Sequence, residues 1–262
     1  KLMEINDKRF ADDVELLLEH PSNKVKLSAI QNLYFLNSKS MTAEVSELLK
    51  IDDRELTTAT LAYVLSFAHK DKSFVFDAYL EHANERIAMA ALYCLARAAK
   101  NNYSLKQRYS LLDRISNAIA NIEHHEQDVS YIEAIIETLG VANLPIFYNK
   151  LIAFLKHEND AVVITAIKAI GTATDPTLAQ HIIPFLGQKN YRPAVMEAFK
   201  LYGVQIIPLL SKNVQDRLQP LSVLRFIPAA MQTFHSKEAV HHLLSILTDK
   251  DLTIRLEVVR AL

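Results

Sequence analysis

The stretch that decides the fold is LEHANERIAMAALYCL, residues 80–95. After Leu80 comes Asn84, then a run in which Ile87, Ala91 and Leu95 recur at four-residue steps. Apolar residues so spaced line one face of an α-helix. An asparagine just before such a run offers its side-chain oxygen to an orphan N–H of the first turn. The stretch therefore reads as the end of one helix, a short turn, and a second, capped helix. The frame recurs at 18–33 (LEHPSNKVKLSAIQNL), 49–64 (LKIDDRELTTATLAYV), 155–170 (LKHENDAVVITAIKAI) and 247–262 (LTDKDLTIRLEVVRAL).

Working outward, the position held by Ala91 is Ala29, Thr60, Ala166 and Val258 in those copies, with weaker copies placing Ala134, Ala198 and Pro228 there. The successive intervals are 31, 31, 43, 32, 32, 30 and 30 residues, a repeat period of helix-pair size. A second signal is independent of hydrophobicity. Ser22, Asp53, Asn84, Asn159, Asn190 and Asp251, all good capping residues, stand at the start of the second helix. Each unit is thus a helix A, a turn and a capped helix B. Gly140, Gly171 and Gly203 suit the left-handed position that closes a helix. In the 43-residue interval, Leu105 to Ile122 reads as one lengthened helix A. No Asn-Gly or Asp-Gly hairpin separates β-branched runs, so the chain is read as all-α.

These five stretches, together with the prolines of Ile182-Ile183-Pro184-Phe185-Leu186 and Ile206-Ile207-Pro208-Leu209-Leu210, resemble the HEAT-repeat family. The resemblance implies a right-handed α-solenoid of about eight antiparallel helix pairs, with the prolines inside helices A and helices B lining a concave surface. Residues 1–262 are read as one continuous solenoid with an irregular repeat around 101–128, because no Ser/Gly-rich or charged linker interrupts it. Lys1 at the start and an uncapped helical pattern at Leu262 give the expectation of a fragment of a longer protein. More loosely, Ile206 to Leu262 resembles the HEAT segment attached to bacterial nucleotide-translocase-like and major-facilitator-like membrane proteins. In those, the membrane helices and any nucleotide pocket lie outside this segment, so no contact residue carries over.

Composition narrows the function classes. The chain of 262 residues has 29 basic and 30 acidic side chains, which gives no prior for nucleic acid or an anionic membrane as partner. One cysteine excludes an internal disulfide and a cysteine-cluster zinc site. Four glycines cannot write a G-x-G-x-x-G or P-loop fingerprint. No apolar run approaches the roughly 20 residues of a membrane span. A cytoplasmic location is expected, with tethering to the inner membrane only through parts of a parent chain.

The candidate chemistry resolves into structural roles. His20, His82 and His157 stand at the ends of helices A, where a partly protonated imidazole favours the helix dipole. The adjacent pairs His124-His125 and His241-His242 point about 100° apart on a helix, poor geometry for one ion. Cys94 sits in an alanine-rich helix B and reads as a core thiol. Asp12-Asp13 and Asp52-Asp53 read as cap and first-turn charges. No catalytic residue, metal ligand or cofactor is expected.

Two classes of function remain: a scaffold that binds another protein or another domain of the parent chain, and an enzyme such as a HEAT-like DNA glycosylase or bilin lyase. Neutral charge and the absence of tryptophan favour the scaffold. On helix B, two residues past the small residue lies about 200° around the helix, away from the core. That position reads Gln31, Ala62, Tyr93, Ile136, Lys168, Lys200, Ala230 and Arg260. Tyr93, with Arg97 one turn on, and Lys168, Lys200 and Arg260 are the expected partner-binding residues, for a partner part apolar and part acidic.

Overall fold

A computed structural model describes residues 10–36, 42–68, 75–125 and 127–262. Among them there is helix and turn and no strand, so the chain is all-α. Its contacts cluster into two compact units, the first ending at His124 and the second spanning His125–Leu262. The division falls inside the 43-residue interval.

In the first unit the helices are α1 (Ala11–Leu16), α2 (Asn23–Leu36), α3 (Thr42–Lys50), α4 (Arg54–Phe67), α5 (Asp77–Leu80), α6 (Glu85–Ala99), α7 (Tyr103–Arg108) and α8 (Leu111–Ala120). Each short helix packs on the long one after it: α1 on α2, α3 on α4, α5 on α6. The long helices, the B members, also pack in series, α2 on α4 and α4 on α6. Their buried stripes are the expected ones, with Ala29, Thr60 and Ala91 all inside. The hydroxyls of Thr57 and Thr60 are satisfied within the helix by Asp53 O and Leu56 O, both at 2.8 Å, so burying them leaves no orphan polar group.

The lengthened helix expected over Leu105–Ile122 is two helices. Ser110 takes a left-handed conformation (φ 46°) between α7 and α8, and the buried Tyr109 turns its ring edge-on to Phe76 at 5.9 Å. Arg114 Nε donates to Tyr109 O at 3.0 Å and so holds the break.

In the second unit the helices are α9 (Val129–Ala142), α10 (Tyr148–Phe154), α11 (Asp160–Ala173), α12 (Pro176–Ile182), α13 (Arg192–Tyr202), α14 (Ile207–Gln215), α15 (Leu221–Leu224), α16 (Ile227–Gln232), α17 (Lys237–Ile246) and α18 (Leu252–Ala261). The B helices again pack in series, α9 on α11, α11 on α13 and α16 on α18. Here the approach is unusually close. A Cβ at Gly140 would lie 2.9 Å from Ala169 Cα, and one at Gly171 would lie 2.6 Å from Ala198 Cα. Both glycines are therefore interior packing positions rather than helix ends. The left-handed closing residues are Asn143 (φ 48°) and Thr174 (φ 55°), whose N–H groups donate to Leu139 O and Ile170 O. Gly203 alone of the three follows the expectation, at φ 64° just after α13.

The prolines also mark boundaries. Pro184 lies in the tight 3-10 turn of Ile183–Gly187 after α12, and Pro208 sits in the first turn of α14. A first-turn proline lacks only an N–H that has no helical partner there, whereas an interior one would break the ladder.

Candidate functional site

Many of the polar side chains gather in the turns before helices B. Asp53, Asn84, Asn159 and Asp251 cap α4, α6, α11 and α18, accepting from Leu56, Arg86, Ala161 and from both Thr253 and Ile254. At Ser22 the backbone carbonyl accepts from Val25 and Lys26 at 3.1 Å. Asn190 is not a cap: α13 starts one residue later, after Tyr191, with no side-chain cap. Tyr191 instead donates its hydroxyl to Asp160, at the start of α11. Asp128, Asn102, Asp175 and Ser236 cap α9, α7, α12 and α17, each legible as a capping residue ahead of a helical pattern.

The histidines at these turns have a more specific role than the dipole. Nδ1 of His20, His82 and His157 accepts from the N–H of Ser22, Asn84 and Asn159, each at 3.0 Å. The final repeat does the same with a carboxylate, Asp249 Oδ1 accepting from Asp251 N at 2.7 Å. Each imidazole thus acts as an acceptor for its turn, a hydrogen-bonding role beside the dipole contact read from the sequence. The other histidine pairs are ordinary ring contacts: His125 stacks on Tyr131 with centroids 4.2 Å apart, and His241 and His242 meet edge-on at 5.8 Å.

Between repeats the turns are braced by polar side chains. In the first unit Arg86 donates to Leu49 O and Ile51 O, at 3.2 and 3.1 Å, and to Thr57 Oγ1 at 2.8 Å, so a helix B of one repeat satisfies the end of the preceding helix A. In the second unit the Tyr148 hydroxyl lies 2.7 Å from Asn143 Oδ1 and 3.0 Å from Asp175 Oδ2, while Tyr202 donates to Asp175 O at 2.9 Å. The Thr177 hydroxyl and N–H bind Asp175 Oδ1 at 2.5 and 2.8 Å. The Thr177 hydroxyl bond holds the Asp175 carboxyl below its ordinary range against the opposing effect of burial. Burial, then the hydrogen bond to Asp175, pushes Tyr148 up to about 12, and burial likewise raises Tyr202. The cluster ties the end of α9 to α10, α12 and α13. Cys94 is buried, donates to Thr58 O at 3.3 Å, and is pushed by burial up to about 12, the inert core thiol the sequence suggests.

The expected partner-binding residues divide between the units. In the first, Tyr93 is half-buried and Arg97 is exposed on α6. In the second, Lys168, Lys200 and Arg260 are exposed on α11, α13 and α18. Arg260 is paired with Glu257 at 2.7 Å. Two members of the outward series are wrong, since Ile136 and Ala230 are fully buried. The cap Asp128 stands 31 residues before Asn159, so the true counterpart of Lys168 is the half-buried Glu137, one residue after Ile136. Past Ala230 the exposed residue is Gln232. Thr165 on α11 donates to Glu133 on α9 at 2.9 Å, a cross-helix contact that no sequence signal marks.

Arg192–Gln215 is, among the described residues, a helical stretch long and apolar enough to cross a membrane by length and composition alone. It comprises α13 and α14 joined at Gly203, and half of its most apolar window is buried inside the chain. No protein-family model and no curated protein matches this chain.

Proposed function

We propose that the chain is a HEAT-like, right-handed α-solenoid of about eight helix pairs acting as a non-catalytic scaffold, which binds a partner protein, or another domain of its parent chain, on the outward faces of helices B. The observation that carries this reading is the registered stacking of α9, α11 and α13. It brings Lys168 and Lys200 to equivalent, exposed positions on successive helices. Two cations one repeat apart are suited to a ligand with two acidic groups spaced likewise, and repeat arrays bind by such distributed contacts. Tyr93 and Arg97 give the first unit an aromatic and a cationic anchor of the types favoured in interfaces.

The test is a partner isolated by affinity purification, identified by mass spectrometry, and then titrated calorimetrically. The double variant Lys168→Glu/Lys200→Glu should weaken binding by about tenfold or more and remove most of its salt dependence. Binding unchanged in that variant and in Tyr93→Ala, with helicity intact, refutes the assigned surface.

A further inference from the structure

In the second unit two arginines share one phenyl ring. Arg192 opens α13, while Arg225 and Phe226 form the link between α15 and α16. The turn Ile183–Gly187 that leads toward α13 packs on α15, which makes the two segments neighbours. The guanidinium carbon of Arg192 stands 3.5 Å from the centroid of the Phe226 ring, and that of Arg225 stands 4.7 Å from it. The two cations therefore lie within about 8 Å of each other, close enough to repel at a protein surface. Arg192 Nε donates to Leu186 O at 2.8 Å, which fixes the stack and leaves both Nη groups without a protein acceptor among the described residues. Arg225 has no hydrogen bond or ion pair among them. The other part-buried arginines differ: Arg86, Arg114 and Arg217 each pair with a carboxylate, at 3.6, 3.1 and 2.5 Å. Among the described part-buried arginines, Arg192 is the one that faces a second cation and no carboxylate.

We infer that Arg192 and Arg225 form an oxyanion site whose ligand is a phosphoryl group. A guanidinium stacked on a ring keeps its N–H donors in its own plane, at the edge, where they can fork onto oxyanion oxygens. The ring shields one face from water, and a hydrogen bond made there is electrostatically stronger. Two guanidiniums that fork onto one phosphoryl group have their carbons about 8 Å apart or less, a span the shared ring permits. A carboxylate brings two oxygens and one charge, so it satisfies one fork and leaves the other cation unbalanced. A phosphoryl group brings three oxygens and about two charges, and so matches both. Lys189, exposed in the turn before α13, adds a further cation on the same segment. The site shares no residue with the proposed partner surface at Lys168 and Lys200.

The arginine Nε–Hε signals in NMR spectra of the 262-residue chain test this, at an ionic strength held constant with chloride. Inorganic phosphate and a short phosphoserine peptide should each shift the Arg192 and Arg225 signals saturably with a common midpoint, leaving that of Arg260, paired with Glu257, unmoved. Tighter binding of the peptide assigns a phosphoryl group carried by a protein, and equal or tighter binding of free phosphate assigns a small-molecule source. Arg225→Gln, at an exposed side chain, should weaken both by at least about tenfold with the melting temperature unchanged. Arg192→Lys should weaken them likewise, because it keeps the charge and loses the fork. Lys168→Glu/Lys200→Glu should change them by less than about twofold, which separates a failure of this site from a failure of the partner surface. The absence of a saturable shift, a glutamate peptide that binds as tightly as the phosphoserine one, or binding indifferent to Arg225→Gln overturns the inference.

Discussion

Replacing Gly171 by alanine should destabilise the protein, although alanine is the better helix former. Gly171 lies inside α11, and an added Cβ would sit 2.6 Å from Ala198 Cα and 2.7 Å from Ala198 Cβ, on α13. Ordinary contact begins at 3.4 Å, so the two helices must part by roughly 0.8 Å, and the nearest obstacle is backbone that cannot rotate aside. A gap of that size forfeits a quarter to a half of the dispersion attraction along the seam. Overpacking of this kind costs about 1–3 kcal/mol, and a backbone obstacle places it near the upper end. Helix propensity returns about 1 kcal/mol. The net loss is therefore about 2 kcal/mol, a fall in Tm of roughly 4–8 °C for a domain of this size. Urea denaturation followed by circular dichroism measures it. Gly187→Ala is the comparison: its new Cβ would meet Val223 Cγ2 at 2.9 Å, a side chain rather than backbone, with Ser222 O at an ordinary 3.5 Å, so it should cost less than Gly171→Ala. Ala198→Gly combined with Gly171→Ala should rescue in part, since the Cβ is gone and the Cα remains. If Gly171→Ala were stabilising by about 1 kcal/mol, propensity alone would govern the site and the close approach of α11 and α13 would be refuted.

Three further outcomes follow from the turns and the core. His157→Ala should cost about 0.5–1.5 kcal/mol by removing the acceptor for Asn159 N–H, while His157→Asp should be nearly silent because Asp249 fills that role in the last repeat; denaturation midpoints decide it. Cys94 should resist a thiol reagent at mildly alkaline pH until the protein unfolds. Burial pushes its folded thiol from the ordinary 9.0 up to about 12, so the unfolded chain deprotonates first and stability should fall as pH rises from about 9 toward 12, an effect absent in Cys94→Ala. Asp175 has the opposite sign: its carboxyl is held below the ordinary 3.8, so its contribution is present above that value and disappears as pH falls through the folded range. Acid unfolding should therefore be shallower in Asp175→Asn, which keeps a capping oxygen without the charge.

What the sequence disclosed was whatever depends on residues near one another in the chain. A capping Asn84 followed by Ile87, Ala91 and Leu95 is a local statement, and helix α6 starts and buries its face as that statement requires. Some misreadings arose where a residue's role was decided by a helix elsewhere in the chain. Gly140 and Gly171 match the local rule for a helix end, yet their missing side chains are needed by Ala169 and Ala198, 29 and 27 residues away, and the chain closes its helices with Asn143 and Thr174 instead. Reading Ala134 as the small residue slipped the frame by one and put Ile136 on the surface. The cap Asp128, 31 residues before Asn159, carries the correct register and points to Glu137. The correction bears on function, because a slip of one residue turns a helix by about 100° and exchanges a core position for a surface one. The column next to Lys168 consequently bears a carboxylate and not an apolar side chain. On the proposed scaffold reading, a ligand's acidic groups would lie over α11 and α13, which is why Lys168 and Lys200 rather than the whole column are the residues to reverse.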